Sequence, residues 1–304
     1  MISKYPYKNL TWIDVESPTK KEIRSLMDEY NIHPIVANEL LTPTIRPKVD
    51  VYDNLIYLIL HFPTVTHSHH GETEQEIDFI IGEDFLITTH YEMVDPLHEF
   101  SKIFEVNSIL DKSSIGNHTG YLFYYIIKEL YKNLDQELED ISEILENIEE
   151  NIFSGEERLM VEVISDTNRK LLNFKQAIRA HKEVLESFEV AGKQFFDEKF
   201  SYYLRAITGE YYKIFSIMEG HKETLLDLRE TNDALLSTKT NETMKILTIM
   251  SSIALPLTLI ASIFGMNTES MPLIGKANDF YLVLGFMIAS LLTTFVFFKY
   301  KKWM

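Results

Sequence analysis

Gly265-Met266-Asn267 is the place in this chain where residue type and position together suggest chemistry. The triplet ends an uncharged run, Ile246–Phe264, and a short polar loop separates it from a second uncharged run, Phe280–Phe298. Each run has 19 residues, roughly 28 Å as a helix, which is close to the thickness of a bilayer's hydrocarbon. A glycine and an amide where a membrane helix stops, repeated around an oligomer, would form a ring of neutral oxygen ligands. Such a ring suits a cation that keeps its water. Mg²⁺ dehydrates reluctantly, and amide and carbonyl oxygens accept hydrogen bonds from its hydration shell without stripping it. A carboxylate cage would hold the ion too tightly for conduction, which requires weak, sequential binding.

The run before the triplet has a patterned surface. Asn241, Met244, Leu247, Ser251, Leu255, Thr258 and Ser262 recur every three or four residues and share one side of a helix. The other side holds Ile249, Ile253, Leu257, Ile260 and Phe264, which suit lipid or the second run. Small hydroxyl residues in a membrane helix also serve close helix packing, so spacing alone leaves pore and packing both open. Asn241 below the row and Asn267 above it favour the pore. Rings of Leu247 and Leu255 would be constrictions that gate by dewetting.

Charge divides the chain. The formal net charge is −17. From Thr243 onward, Lys245, Lys276, Lys299, Lys301 and Lys302 stand against Glu269 and Asp279, a net +3, so the preceding 242 residues carry −20. So acidic a body is unsuited to nucleic acid and suited to attracting cations, though acidity equally keeps a domain soluble. The chain has no cysteine, which rules out disulfides and thiolate metal sites. Its beginning, Met1-Ile2-Ser3-Lys4-Tyr5-Pro6, has no apolar core of a signal peptide. The basic tail at Lys299, Lys301 and Lys302, against a nearly neutral loop between the runs, predicts two spans in a cell (inner or plasma) membrane with both termini in the cytoplasm. The same lysines also suit anchoring to anionic headgroups.

Upstream elements must position the triplet. Residues 1–118 read as a cytoplasmic α/β domain, with strands at Leu10–Val15, Val49–Val51, Leu55–Phe62, Glu76–Ile81 and Phe85–Thr89. Ser17-Pro18 opens a helix whose Thr19 and Glu22 have capping-box spacing, and Gly82-Glu83-Asp84 reads as a hairpin turn. From Gly120 the period changes to that of a helix: Leu122, Ile126, Leu130, Leu134, Leu138, Ile141, Leu145 and Ile148 form one stripe. A second helix is predicted over Glu157–Phe188, with Ile164, Leu171, Ile178 and Leu185 seven apart and Gly192 as its breaker. Residues 119–192 are thus a helical pair. Residues 193–242 are a stalk, because Leu204, Ile207, Tyr211, Ile214, Met218, His221, Leu225, Leu228, Asn232 and Leu235 mark one face and no stop signal intervenes. One helix over Gln194–Leu255 would be on the order of 90 Å long. The remaining divisions are a first span at 243–265, an external loop at 266–279, a second span at 280–298 and a basic tail at 299–304. The fold class is an α+β membrane protein.

Phe264-Gly265-Met266-Asn267, followed by Met271-Pro272, a second span and Lys299-Tyr300-Lys301-Lys302-Trp303-Met304, resembles the CorA family of magnesium channels. The likeness is close over Lys239–Met304, including Thr240-Asn241-Glu242 and Leu255-Pro256-Leu257-Thr258; upstream it is one of element order and type. The resemblance implies a funnel-shaped homopentamer in the lipid bilayer, with the first span lining the pore and no cofactor beyond the transported Mg²⁺. It implies that Gly265, Met266 and Asn267 form the outer ion-recognition ring and that Lys299, Lys301 and Lys302 form a basic collar. It also implies that Asn241, Leu247, Leu255 and Thr258 fall on positions the family uses along the pore.

Two departures from that pattern matter. The family's loop typically reads Met-Pro-Glu-Leu where this chain has Met271-Pro272-Leu273-Ile274, with Glu269 remaining as the loop's acid. Counting back from the triplet, the position where magnesium-sensing members carry a stalk aspartate falls on Ala206, which puts feedback by intracellular Mg²⁺ at that place in doubt. Glu210, one turn along the same face, is a candidate substitute for a regulatory divalent cation. Glu223, Asp227 and Glu230 form a further acidic face that suits solvent equally well. His67-Ser68-His69-His70 has ligand-type residues for zinc or nickel, but lacks an acidic or cysteine partner at ligand spacing and reads as a surface loop.

The resulting expectation is uptake of Mg²⁺, with Co²⁺ and Ni²⁺ also passing, driven by membrane potential. A zinc transporter of the same superfamily is the neighbouring reading, and Met266 favours magnesium. A two-span signalling protein with a coiled-coil stalk is the reading from another class, weakened by an external loop too short for a sensor. Enzymatic activity finds no phosphate-cradling loop and no nucleophile elbow to carry it.

Overall fold

The computed structural model describes residues 1–63, 74–109, 116, 118–196, 198–266, 278–301 and 303, with backbone alone for 107–109. The chain forms two compact units, Met1–Arg229 and Glu230–Met304.

The first unit is built on a six-stranded sheet: β1 (Ile2–Tyr7), β2 (Leu10–Glu16), β3 (Lys48–Val51), β4 (Ile56–Pro63), β5 (Glu74–Ile81) and β6 (Phe85–His90). Its order is β1-β2-β6-β5-β4-β3, and β2–β6 is its parallel pairing. The Gly82 amide bonds the Phe85 carbonyl at 2.8 Å, so Gly82-Glu83-Asp84 closes the β5–β6 hairpin as its composition predicts. Strand β1 was not legible in the sequence. It lies at the sheet's edge, half exposed, where Pro6 and two lysine-flanked tyrosines blur the alternation.

One face of the sheet is covered by α1 (Lys20–Tyr30) and α2 (Pro34–Glu39), which bury Ile23, Leu26, Val36 and Ala37 against Ile13, Val15, Tyr57, Ile59, Ile80 and Ile87. The predicted capping box is present: Thr19 Oγ1 accepts from the Glu22 amide at 3.3 Å, and Glu22 Oε2 accepts from the Thr19 amide at 2.9 Å. Asn31 ends α1 in the left-handed conformation. The opposite face is covered by α3 (Asp95–Ile109), α4 (Thr119–Ser154), α5 (Glu157–Ile178) and α6 (His181–Phe195). Trp12 meets Phe100 and Phe104 of α3, and Phe79 meets Phe123 of α4 edge to face at 5.1 Å. Covered on both sides, β4 and β6 are buried along their whole length.

Helix α4 buries the predicted stripe from Leu122 to Ile148 and ends at Gly155, whose φ of 100° is open to glycine at little cost. The single helix expected over Glu157–Phe188 is two, α5 and α6, parted at Arg179-Ala180. The reason is His181. It is fully buried, with Nδ1 at 2.7 Å from the Tyr131 hydroxyl and Nε2 at 2.7 Å from the His61 carbonyl, and reaching both fixes where the chain bends. Gly192 is not a breaker, since α6 runs on to Phe195. A Cβ there would stand 3.0 Å from Leu204 Cδ1, so glycine lets the next helix approach.

That helix, α7, spans Ser201–Phe264 without interruption, 64 residues or roughly 96 Å. It starts later than the expected Gln194 because Phe196 is extended and Glu198–Phe200 makes a 3-10 turn. It passes beyond Leu255 with Pro256 inside it, which deprives the Ser252 carbonyl of its usual amide donor. In the first unit α7 buries Leu204, Ile207, Tyr211, Ile214, Met218, Leu225 and Leu228, the face its period predicts. Helix α8 (Asp279–Tyr300) completes the second unit. An N-terminal α/β domain, long helices and two apolar C-terminal helices are the fold class read from the sequence.

Candidate conduction site

Two segments are long and apolar enough to cross a membrane: the C-terminal part of α7 and the whole of α8, with mean hydropathy of 2.1 and 2.2 and nothing in either window buried. Each helix has one half-buried row. On α7 it comprises Ile249, Ile253, Leu257, Ile260 and Phe264, the side assigned above to lipid or the second span. On α8 it comprises Val283, Met287, Ser290 and Thr294 and ends at the buried Phe298. The α8 row was missed in the sequence, although its steps of three and four are visible there.

The opposite row of α7 is open. Asn241, Met244, Leu247, Ser251, Leu255, Thr258 and Ser262 are all exposed, Leu255 at 69% and Leu247 at 57%. One helix thus presents a covered greasy side and an uncovered mixed side. Thr258 Oγ1 donates to the Ala254 carbonyl at 2.8 Å, as hydroxyls in apolar helices commonly do. Its hydrogen is therefore committed to the backbone, and its lone pairs are what it offers outward. An acceptor is what the outward-pointing hydrogens of a metal's bound water need.

At the top of the row, the Gly265 amide bonds the Ala261 carbonyl at 2.9 Å and the Met266 amide reaches the Ile263 carbonyl at 3.4 Å. A Cβ on residue 265 would lie 2.9 Å from the Ala261 oxygen, a backbone atom that cannot step aside cheaply. Glycine is thus the residue that lets the helix close its last turn here. Met266 is 58% exposed. Asn267, Glu269 and Lys302, and the histidines at 67, 69 and 70, lie outside the described residues.

At the other end, Lys299 lies in the last turn of α8 and Lys301 caps it. Trp303 folds back so that its amide meets the Phe298 carbonyl at 3.1 Å and its ring stacks on Phe298 at 5.8 Å. An indole between an apolar helix and lysines is the composition of a membrane interface.

The stalk acids are not gathered within one chain. Glu210 is half-buried, while Glu223, Asp227 and Glu230 are exposed along α7. Among the described residues no three His, Asp or Glu side chains stand where they would hold a metal ion. Ala206 is exposed, and the neighbouring Arg205 reaches Glu189 at 3.6 Å. Where α7 meets α4, Lys213 bonds Asp135 at 2.5 Å, and that bond raises the lysine's pKa. Burial, joined by the charge of Asp140, pushes the Glu137 carboxyl up to about 8.

Comparison with known proteins agrees with this geometry. Residues 7–302 match the family described as CorA-like Mg²⁺ transporter protein. The chain is 27% identical over 298 residues to the cobalt/magnesium transport protein CorA of Thermotoga maritima, covering 97% of this chain and 83% of that one. It is 22% identical over 306 residues to the protein of the same name from Methanocaldococcus jannaschii, covering 97% and 91%. The complete structure of the CorA magnesium transporter from that organism superposes with a TM-score of 0.84 at 20% identity, over 99% of this chain and 93% of that one. With a family match spanning nearly the whole sequence, and two apolar C-terminal helices in the fold, this chain belongs to the CorA-like Mg²⁺ transporter family.

Proposed function

We propose that five copies of this chain surround one pore in a cell membrane and admit Mg²⁺, with Co²⁺ and Ni²⁺ as further substrates, under the pull of the membrane potential. The observation that carries this reading is the two-sided α7: Ile249 to Phe264 are half-covered, whereas Asn241 to Ser262 stand open. In a ring of copies the open row faces the axis. Asn267, beyond the Gly265 turn, then supplies amide oxygens to the waters of an arriving ion, with Met266 beside it and Glu269 as the loop's acid. Below, Thr258 is an acceptor whose own hydrogen is occupied, and Asn241 closes the row. Leu247 and Leu255 form apolar rings that stop conduction when they dry. Binding through water at neutral oxygens is weak enough to let the ion leave.

In the same reading, residues 1–118 and the helical pair 119–192 are cytoplasmic and 193–242 are the stalk. Residues 243–265 and 280–298 are the spans, 266–279 the external loop, and 299–304 the tail. Lys299, Lys301 and Lys302 place both termini inside and form a basic collar at the inner mouth. The relatives' names, cobalt/magnesium transport protein, support Mg²⁺ and Co²⁺ among these ions.

The test is ion uptake into proteoliposomes. Asn267→Ala lowers Mg²⁺ uptake by about tenfold or more, the equivalent of ~1.4 kcal/mol; unchanged uptake would refute the selectivity ring. Regulation follows from the stalk. With Ala206 where a sensing carboxylate is expected, millimolar internal Mg²⁺ inhibits this channel only weakly, and Ala206→Asp strengthens inhibition. Tight closure of the wild type at low internal Mg²⁺ overturns that prediction and moves the role to Glu210 or to Glu223, Asp227 and Glu230.

A further inference from the structure

The first unit carries a buried acidic hub that ion conduction leaves unused. Glu76 and Asp78 stand two residues apart on β5 and so point to the same side of the sheet, the side of α1 and α2. Glu76 is 7% exposed and Asp78 is fully buried. Glu76 is well supplied with donors on one oxygen. Its Oε2 accepts from the Thr44 amide at 2.6 Å and the Thr44 hydroxyl at 3.2 Å, and lies 3.2 Å from His61 Nε2. It thereby ties the connection between α2 and β3 to the sheet.

Asp78 is placed differently. Its Oδ1 accepts from the Tyr57 hydroxyl at 3.2 Å. Lys48, whose ammonium lies over the Tyr57 ring, is taken by Glu39 at 2.8 Å and Asp50 at 2.6 Å. The two remaining oxygens, Glu76 Oε1 and Asp78 Oδ2, are both buried and, among the described residues, neither has a hydrogen-bond partner, while the two carboxyl groups stand beside each other on one face of β5. A buried carboxylate with no cation of its own is strongly disfavoured. A single hydrogen between the two groups satisfies both orphaned oxygens.

We propose that Glu76 and Asp78 share one proton, and that this proton is a pH-sensitive latch on the 42–47 connection. While it is held, Glu76 anchors Thr44; once it is lost, two adjacent carboxylates repel and the anchor lets go.

The groups facing the pair come from every element around it: Glu39 of α2, Lys48 and Asp50 of β3, Tyr57 and His61 of β4, Glu74 at the end of β5, Thr89 of β6, and Tyr91 after it. Carboxylates outnumber cations among them, so a second charge at Asp78 meets opposition from most sides. Burial first, then the Glu76 charge, holds the Asp78 carboxyl well above the usual carboxylate range, and the same burial raises Tyr91. The folded chain therefore binds this proton more tightly than the unfolded one. Its stabilising effect is full in acid and is lost as pH rises toward the folded value. The latch therefore opens on the alkaline side.

Hydrogen exchange of the full chain in detergent, across a pH series corrected for intrinsic rates, tests the latch. The peptide covering residues 42–47 is protected at about pH 7 and loses tenfold or more of that protection by about pH 9. Asp78→Asn, whose amide supplies a permanent hydrogen, keeps the protection throughout, and Glu76→Gln lowers it at every pH. Parallel loss in wild type and Asp78→Asn, or undiminished protection of the wild type at about pH 9, overturns the proposal. Should Asp78→Asn fail to fold, infrared spectroscopy on a Glu137→Gln background, free of that second raised carboxyl, decides. A protonated-carboxyl band at neutral pH that fades with the same midpoint supports the shared proton, and its absence overturns it.

Discussion

Alanine at position 265 would bring a methyl carbon to 2.9 Å from the Ala261 carbonyl oxygen, and the last turn of α7 would have to open to admit it. Met266, which follows that turn, would shift with it. Gly265→Ala is therefore expected to cut Mg²⁺ uptake by about tenfold or more, ~1.4 kcal/mol in barrier terms, while leaving the thermal unfolding of residues 1–229 where it was. Uptake measured beside a melting curve separates this from general damage. At this scale the sequence was legible where chemistry is signalled by position: a glycine and an amide at the end of an uncharged run. It was illegible where chemistry depends on what covers a strand. Glu76 and Asp78 alternate with apolar neighbours, the pattern of a solvent-facing edge, yet α2, its following connection and β3 enclose them.

Elements show the same division. The stripes of α4 and α7 extend over many turns, and periodicity finds them because each turn repeats the same burial. Helix α3 has only a short apolar side, Leu97, Phe100 and Phe104, and α2 is six residues long, so neither repeats enough to be seen. The break between α5 and α6 depends on a long-range partner, the carbonyl of His61, 120 residues away, which local spacing cannot reveal. That partner has a measurable consequence. Burial holds His181 neutral and lowers its pKa to about 4, against the opposing pull of the His61 carbonyl. Because the folded value lies below the ordinary one, stability is full above about pH 6.5 and is lost as pH falls toward 4, by about 3 kcal/mol at most. Thermal unfolding of the solubilised chain between about pH 7 and pH 4 checks this. His181→Gln, whose amide can serve both neighbours but does not titrate, flattens the acid limb; an unchanged limb removes His181 from the account.

For the molecule as a whole, charge and cover divide the labour. An acidic first unit concentrates cations near it, and the second unit presents an apolar pair whose last helix ends in basic residues. The fold class was legible because composition changes sharply at the boundary between soluble and apolar segments. The copy number was not, since no residue encodes it locally. The open row of α7 carries a further consequence, for genetics rather than structure. If the wall of the pore is a side that a lone chain leaves bare, each wall is a shared object, and a faulty copy spoils the work of its intact neighbours. In cells making equal amounts of wild type and Asn267→Ala, only about 3% of randomly assembled five-membered rings would be free of the altered chain. Uptake should then fall far below half of the wild-type level. A fall to about one half would mean that each copy conducts alone.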